Sequence, residues 1–122
     1  MKLIPVFKCS NLIEAIKFYT EKLDFTVEEY TPEDPLVHIY NEDSIIQLTT
    51  GESDKLYGSV IYVPVTDVDA HYEKYKGRGL DTTKYPQSPV HTSPVDQTWG
   101  WREFYVTDQD GNTLRFCTKL KQ

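Results

Sequence analysis

The sequence predicts an α+β fold made of two βαβββ modules in tandem. Three observations predict it. A short apolar strand leads into a capped amphipathic helix, three further strand-like runs follow between turn-forming clusters, and the helix cap with its apolar stripe returns 56 positions later.

Leu3 to Phe7 reads as the first strand. Asn11 then offers an N-cap, and Glu14 three residues on completes a capping-box pair. Leu12, Ile16, Tyr19 and Leu23 fall on one helical face. Phe25–Tyr30, Leu36–Tyr40 and Ser44–Leu48 are strand candidates, separated by Pro32-Glu33-Asp34-Pro35 and Asn41-Glu42-Asp43. The first module thus covers about 1–48, and the polar stretch 49–58 reads as a linker. The second module, about 59–118, opens with the β-branched and aromatic run Ser59–Val65. Asp67 caps a helix bearing Val68, Tyr72 and Tyr75, which Gly77 and Gly79 end. A brief strand is expected at Leu80–Lys84, and a hairpin at Trp101–Thr107 and Thr113–Thr118 around Asp108-Gln109-Asp110-Gly111-Asn112. Sliding by 56 pairs Asn11 with Asp67, Leu12 with Val68, Ile16 with Tyr72 and Tyr19 with Tyr75.

One such module buries too little on its own. Two pairing their sheets would form one curved mixed sheet with helices outside and a cleft within, a single domain in 122 residues. The segment Tyr85–Thr98 carries three of the seven prolines and reads as a flap over that cleft.

Composition narrows the function. Hydrophobic residues are 39% and charged ones 26%, which suits a globular chain. Thirteen Lys and Arg against 19 Asp and Glu leave a net charge of −6, the wrong balance for gripping nucleic-acid phosphates. An acidic surface favours solubility and attracts cationic partners. No apolar run is long enough to cross a bilayer, and the first residues are too short an apolar stretch for a secretion signal, so a cytoplasmic protein is expected. Cys9 and Cys117 sit in apolar runs without CxxC spacing and read as buried, reduced thiols. The three histidines, His38, His71 and His91, form no HxH, HxxxH or HExxH pattern, and no GxSxG or Gly-rich phosphate loop is present. The 108–112 turn lacks the distal glutamate of a calcium loop.

Ile4-Pro5-Val6, the run Ala15–Phe25, and Trp99-Gly100-Trp101-Arg102-Glu103-Phe104 followed by Asp108–Leu114 together resemble the vicinal oxygen chelate superfamily, which includes glyoxalase I, extradiol dioxygenases and bleomycin resistance proteins. The resemblance spans essentially the whole chain and is strongest to bleomycin resistance proteins. Its metalloenzymes hold one divalent ion with His and Glu. The positions that the resemblance assigns to those ligands are Pro5, Gln47, Ser59 and Arg115, none of them a usual ligand, so no metal and no cofactor are expected. The implied function is a homodimer that sequesters a cationic or aromatic antibiotic-like molecule in interface grooves without changing it. Pro5 matches the hinge of a strand exchanged between subunits. Trp99, Tyr62, Gln47, Thr49 and Glu28 match groove positions, with Trp101 as an additional indole and Tyr30 as a further aromatic wall. The rival reading is a glyoxalase- or dioxygenase-like metalloenzyme, a lyase or dioxygenase, with atypical ligands such as Gln47 and His38. A module using the fold for protein contacts is a third.

Overall fold

A computed structural model describes residues 1–51 and 57–121; the centre of the expected linker, 52–56, lies outside these. The chain divides into two compact units, each with four strands and one helix.

The first unit comprises Met1–Ser59 with Thr107–Asn112. It contains β1 (Val6–Lys8), α1 (Leu12–Glu21), β2 (Thr26–Val27), β3 (Leu36–Asn41) and β4 (Ser44–Thr49). The sheet order is β1-β4-β3-β2, with β1 parallel to β4 and the other pairs antiparallel. Strand alternation gives the sheet one apolar face: Phe7, Val37, Ile39, Ile46 and Leu48 are buried together with Leu12, Ala15, Ile16, Tyr19 and Leu23. Burial of each of the larger chains is worth roughly 2 kcal/mol, which holds the amphipathic helix on the sheet. α1 starts at Asn11, extended at φ −140° and ψ 110°, whose Oδ1 accepts the Glu14 N–H at 3.0 Å.

The second unit, Val60–Val106 with Thr113–Gln122, repeats this plan. Its elements are β5 (Val60–Pro64), α2 (Val68–Gly77), β6 (Val95–Asp96), β7 (Trp101–Thr107) and β8 (Thr113–Lys119), in sheet order β5-β8-β7-β6 with β5 parallel to β8. Asp67, at φ −137° and ψ 97°, accepts the Ala70 N–H at 3.1 Å. The strand-to-helix exits match as well. The Cys9 N–H donates to Thr49 O, and the Val65 N–H donates to Cys117 O, both at 2.8 Å. The internal repeat is therefore one of hydrogen bonds as well as residue types. Phe104 stacks on Phe116 at 5.3 Å and 14°, with Tyr75 edge-on to Phe116 and Tyr72 edge-on to Phe104, forming the core beneath α2.

Three expected strands differ from those observed. No strand forms at Leu80–Lys84. Gly79, at φ +92°, ends the helix, Leu80 N–H returns to Tyr75 O, and Asp81 Oδ1 accepts the Thr83 N–H, so the backbone is satisfied locally instead of across a ladder. The second module's third strand is β6, inside the segment expected as a flap. It pairs Val95 with Glu103 and Asp96 with Arg102. The strand expected at Phe25–Tyr30 shortens to Thr26–Val27, because Thr31 and Asp34 close a turn on each other: Thr31 N–H donates to Asp34 Oδ2 at 2.8 Å and Asp34 N–H to Thr31 O at 3.0 Å. β1 starts later than expected, at Val6, since Pro5 has no N–H to give; its carbonyl still accepts from Gln47 N–H at 2.9 Å. Among the described residues, no helix is long and apolar enough to cross a membrane.

Candidate functional site

Alternation along the strands of the second unit sends Phe104, Val106, Leu114 and Phe116 toward α2 and leaves Trp101, Glu103, Tyr105 and Arg115 on the opposite face. The parallel register sets Tyr62 of β5 directly beside Arg115 of β8. The Arg115 guanidinium carbon lies 4.5 Å from the ring centroids of both Tyr62 and Tyr105, and 5.8 Å from the Trp99 ring. Glu103 has no exposed surface. Its Oε1 accepts from Arg115 Nε at 3.2 Å and Nη2 at 2.6 Å, and its Oε2 accepts from Trp99 Nε1 at 2.9 Å. The carboxylate thus fixes the cation and the indole together. Burial works against the charge of Arg115, yet the bonds to Glu103 and the neighbouring tyrosines leave its pKa raised. Burial pushes the Tyr105 hydroxyl up despite the guanidinium beside it.

Gly100, at φ +91°, lets the chain turn between the two indoles, and nothing lies near the position its Cβ would take. Trp99 is 54% exposed and Tyr62 51% exposed, whereas Trp101 is half-buried on β7. Trp99 is the indole set over Arg115; Trp101 shares its strand face with Glu103 and Tyr105. The Tyr105 N–H donates to His91 O at 2.7 Å, and the His91 ring meets Tyr105 edge-on at 5.6 Å, which ties the proline-rich segment to β7.

The remaining expected residues lie in the first unit. Gln47 and His38 oppose each other across β3 and β4 and share an amide–imidazole hydrogen bond of 3.0 Å. Thr49 is 1% exposed, and its hydroxyl oxygen accepts the Gly51 N–H at 3.0 Å. Lys8, buried beside Thr49, donates from Nζ to the carbonyls of Thr50 and Gly51. Glu28 and Tyr30 line an open depression with Val27, Glu29, Thr31 and Asp34. Pro5 stands just before β1. The structure therefore groups Trp99 and Tyr62 around one cation in the second unit, with Trp101 on the same sheet face, and places Glu28 with Tyr30 in the first unit.

Among the described residues a divalent ion finds no fitting set. The strand register pairs Val6 with Gln47 and Tyr62 with Arg115, so the paired positions offer one amide, one phenol and a fixed cation. Ser59 is committed elsewhere, its N–H donating to Asn112 Oδ1 and its hydroxyl to Val6 O. His38 touches Gln47, but among the described residues no three His, Cys, Asp or Glu side chains gather around a common point. Both thiols are buried. Burial, with Asp110 and Asp108 nearby, pushes Cys9 up to about 11, and burial raises Cys117, so neither is a ready nucleophile.

Sequence reasoning treated Arg115 only as an obstacle to a metal and passed over Glu103 and Tyr105. The available signal was a charged residue next to a core phenylalanine on each arm of one hairpin: Glu103 before Phe104 on one arm, Arg115 between Leu114 and Phe116 on the other.

The tandem βαβββ plan, with its parallel outer strand in each sheet, defines the class of protein. The chain belongs to the Glyoxalase/Bleomycin resistance protein/Dioxygenase superfamily, whose model matches residues 7–116. Three solved structures illustrate the likeness in fold. A bleomycin-binding protein from bleomycin-producing Streptomyces verticillus, complexed with copper(II)-bleomycin, has TM-score 0.69 and 20% identity over 100% of this chain and 97% of its own. The bleomycin resistance determinant encoded on transposon Tn5 has TM-score 0.76 and 17% identity, covering 98% of each chain. A glyoxalase-related enzyme from Clostridium phytofermentans has TM-score 0.75 and 20% identity over 98% of this chain and 95% of its own. A search of curated proteins finds no match.

Proposed function

We propose that this chain is a binding protein of the bleomycin-resistance type, which holds a planar aromatic small molecule by stacking and releases it chemically unchanged. The observation that carries this reading is the platform of Tyr62, Trp99 and Tyr105 around Arg115, locked from behind by Glu103. Rings held by a buried ion pair lose little freedom on binding, so stacking is not spent on ordering them. Each aromatic contact contributes about 0.5–1.5 kcal/mol beyond burial. The absence of a fitting donor set among the described residues and the high thiol pKa of Cys9 favour retention over chemistry. The carboxylates of Glu28, Glu29 and Asp34 suit a cationic group, in keeping with the net charge of −6. The same reading makes the protein a homodimer. It is supported by β1 standing at the edge of its sheet, led by the exposed Leu3 and Ile4.

Calorimetric titration with metal-free and copper(II)-loaded bleomycin tests the reading. A micromolar complex is expected, with the ligand recovered at unchanged mass. Trp99→Ala is expected to weaken it about tenfold, equivalent to about 1.4 kcal/mol. Absence of heat from both forms excludes bleomycin as ligand, and a changed mass overturns retention.

A further inference from the structure

Resting on the stacking platform proposed above, we infer that the ring it holds is uncharged: the platform rejects planar cations, because Arg115 already serves as the cation of its aromatic rings. An exposed aromatic ring is ordinarily a good seat for a positive charge, which is drawn to the negative face of the π system. Here that attraction is used inside the protein. The Arg115 guanidinium carbon lies over the rings of Tyr62 and Tyr105, 4.5 Å from each centroid, and 5.8 Å from that of Trp99. One cation thus serves three rings and draws their π density toward itself. A ligand meets Tyr62 and Trp99 on the surface that this cation leaves open, 51% of one residue and 54% of the other.

No group of the platform is left over to hold a positive charge. Glu103 is its one carboxylate. It has no exposed surface, and its oxygens accept from Arg115 Nε and Nη2 and from Trp99 Nε1. The Arg115 side chain is bonded in turn to Glu103 and to Tyr105. The two charges are therefore matched within the protein, and what remains for a ligand is ring surface. A cationic ring stacked there gives up hydration, finds the cation–π attraction already spent, and lies near a fixed guanidinium. A neutral ring meets none of these penalties. The net charge of −6 pulls the opposite way, toward cations, so the preference separates the local arrangement from overall acidity.

The test titrates the unmodified protein with two probes of nearly one shape: 2-methylquinoline, kept above the pH at which it is protonated, and the permanently cationic 1-methylquinolinium. Binding is followed through the indole N–H resonance of Trp99, one of only two tryptophans in the chain, so that a cation settling elsewhere is not counted. The neutral probe is expected to bind about threefold more tightly than the cation. In Arg115→Gln/Glu103→Gln, which leaves the net charge unchanged, or in Arg115→Gln should the double variant fail to fold, the cation is expected to bind as tightly as the neutral probe or more so. Equal or tighter binding of the quinolinium by the unmodified protein overturns the inference and leaves the stacking platform standing. A neutral preference that survives the loss of Arg115 overturns it as well. Failure of both probes to move the Trp99 resonance overturns the platform and the inference with it.

Discussion

A carboxylate with no exposed surface is tolerated only while its partners hold it, and Glu103 has two, the guanidinium of Arg115 and the indole N–H of Trp99. Removing one side of such a pair leaves a charge without compensation, so the penalty exceeds the value of the contact. Glu103→Ala is therefore expected to lower unfolding stability by about 3 kcal/mol, read as a shift in urea midpoint at unchanged slope. Glu103→Gln/Arg115→Gln, which discharges both partners and keeps an oxygen for Trp99, is expected to recover at least half of that loss. A single variant as stable as the parent would mean that Arg115 finds solvent without Glu103, and the rings around it would then have no fixed frame. The contrast with Arg102 shows why burial decides. Arg102 is also bonded to two carboxylates, Asp69 and Asp96, each at 2.9 Å, yet both carboxylates are more than half exposed, and water screens the pair.

At the scale of elements, the helices depend on their first turns. Asn11 and Asp67 have nearly the same backbone angles and each accept the N–H three residues on. Asn11→Ala and Asp67→Ala should each cost about 1 kcal/mol in urea unfolding, while Asn11→Ser should cost a few tenths. A cap variant with no loss would show that the helix start is set by packing of Leu12 or Val68 instead. These caps were legible in the sequence because a cap is local: its donor and acceptor lie within four residues. The hairpin and β3–β4 were legible for the same reason, through turn clusters and alternation. β6 was not. It has two residues, its neighbours are Pro94 and Gln97, and only pairing with Glu103 and Arg102 makes it a strand. Leu80–Lys84 looked extended by composition, but the Asp81 carboxylate there accepts the backbone N–H of Thr83. The site divides along the same line. Tyr62 and Trp99 stood out as aromatic residues in their own segments. That they meet at Arg115 depends on a parallel register joining residues 53 positions apart, which no local pattern announces.

At the scale of the whole molecule, the repeat in sequence does not make two separable pieces. The first unit draws in Thr107–Asn112 from the end of the chain. Tyr19, fully buried, donates its hydroxyl to Asp108 Oδ2 at 2.7 Å, which together with burial raises its pKa well above the usual phenol value. Asn112, also fully buried, donates to Lys8 O at 2.9 Å and accepts the Ser59 N–H at 3.0 Å, while Asp108 Oδ1 receives the N–H groups of Asp110 and Asn112. A chain cut after Ser59 would retain α1 and all four strands of the first sheet, yet expose the Tyr19 hydroxyl, the Lys8 carbonyl and the Ser59 N–H to a site with no partner. Each hydrogen bond so lost costs about 0.5–1.5 kcal/mol, and three together remove a large share of the stability of a domain this small. The fragment 1–59 is accordingly expected to lack a cooperative urea transition and a dispersed amide spectrum, although the sequence pattern marks it as a complete module. Adding a peptide of residues 104–115 in excess should restore part of both in the parent fragment, and neither in a Tyr19→Phe fragment given a peptide that carries Asn112→Ala, if the turn acts through these bonds. A fragment that folds by itself would show that Phe7, Leu48 and the α1 stripe suffice, and that the return of the 107–112 turn is packing without consequence for stability.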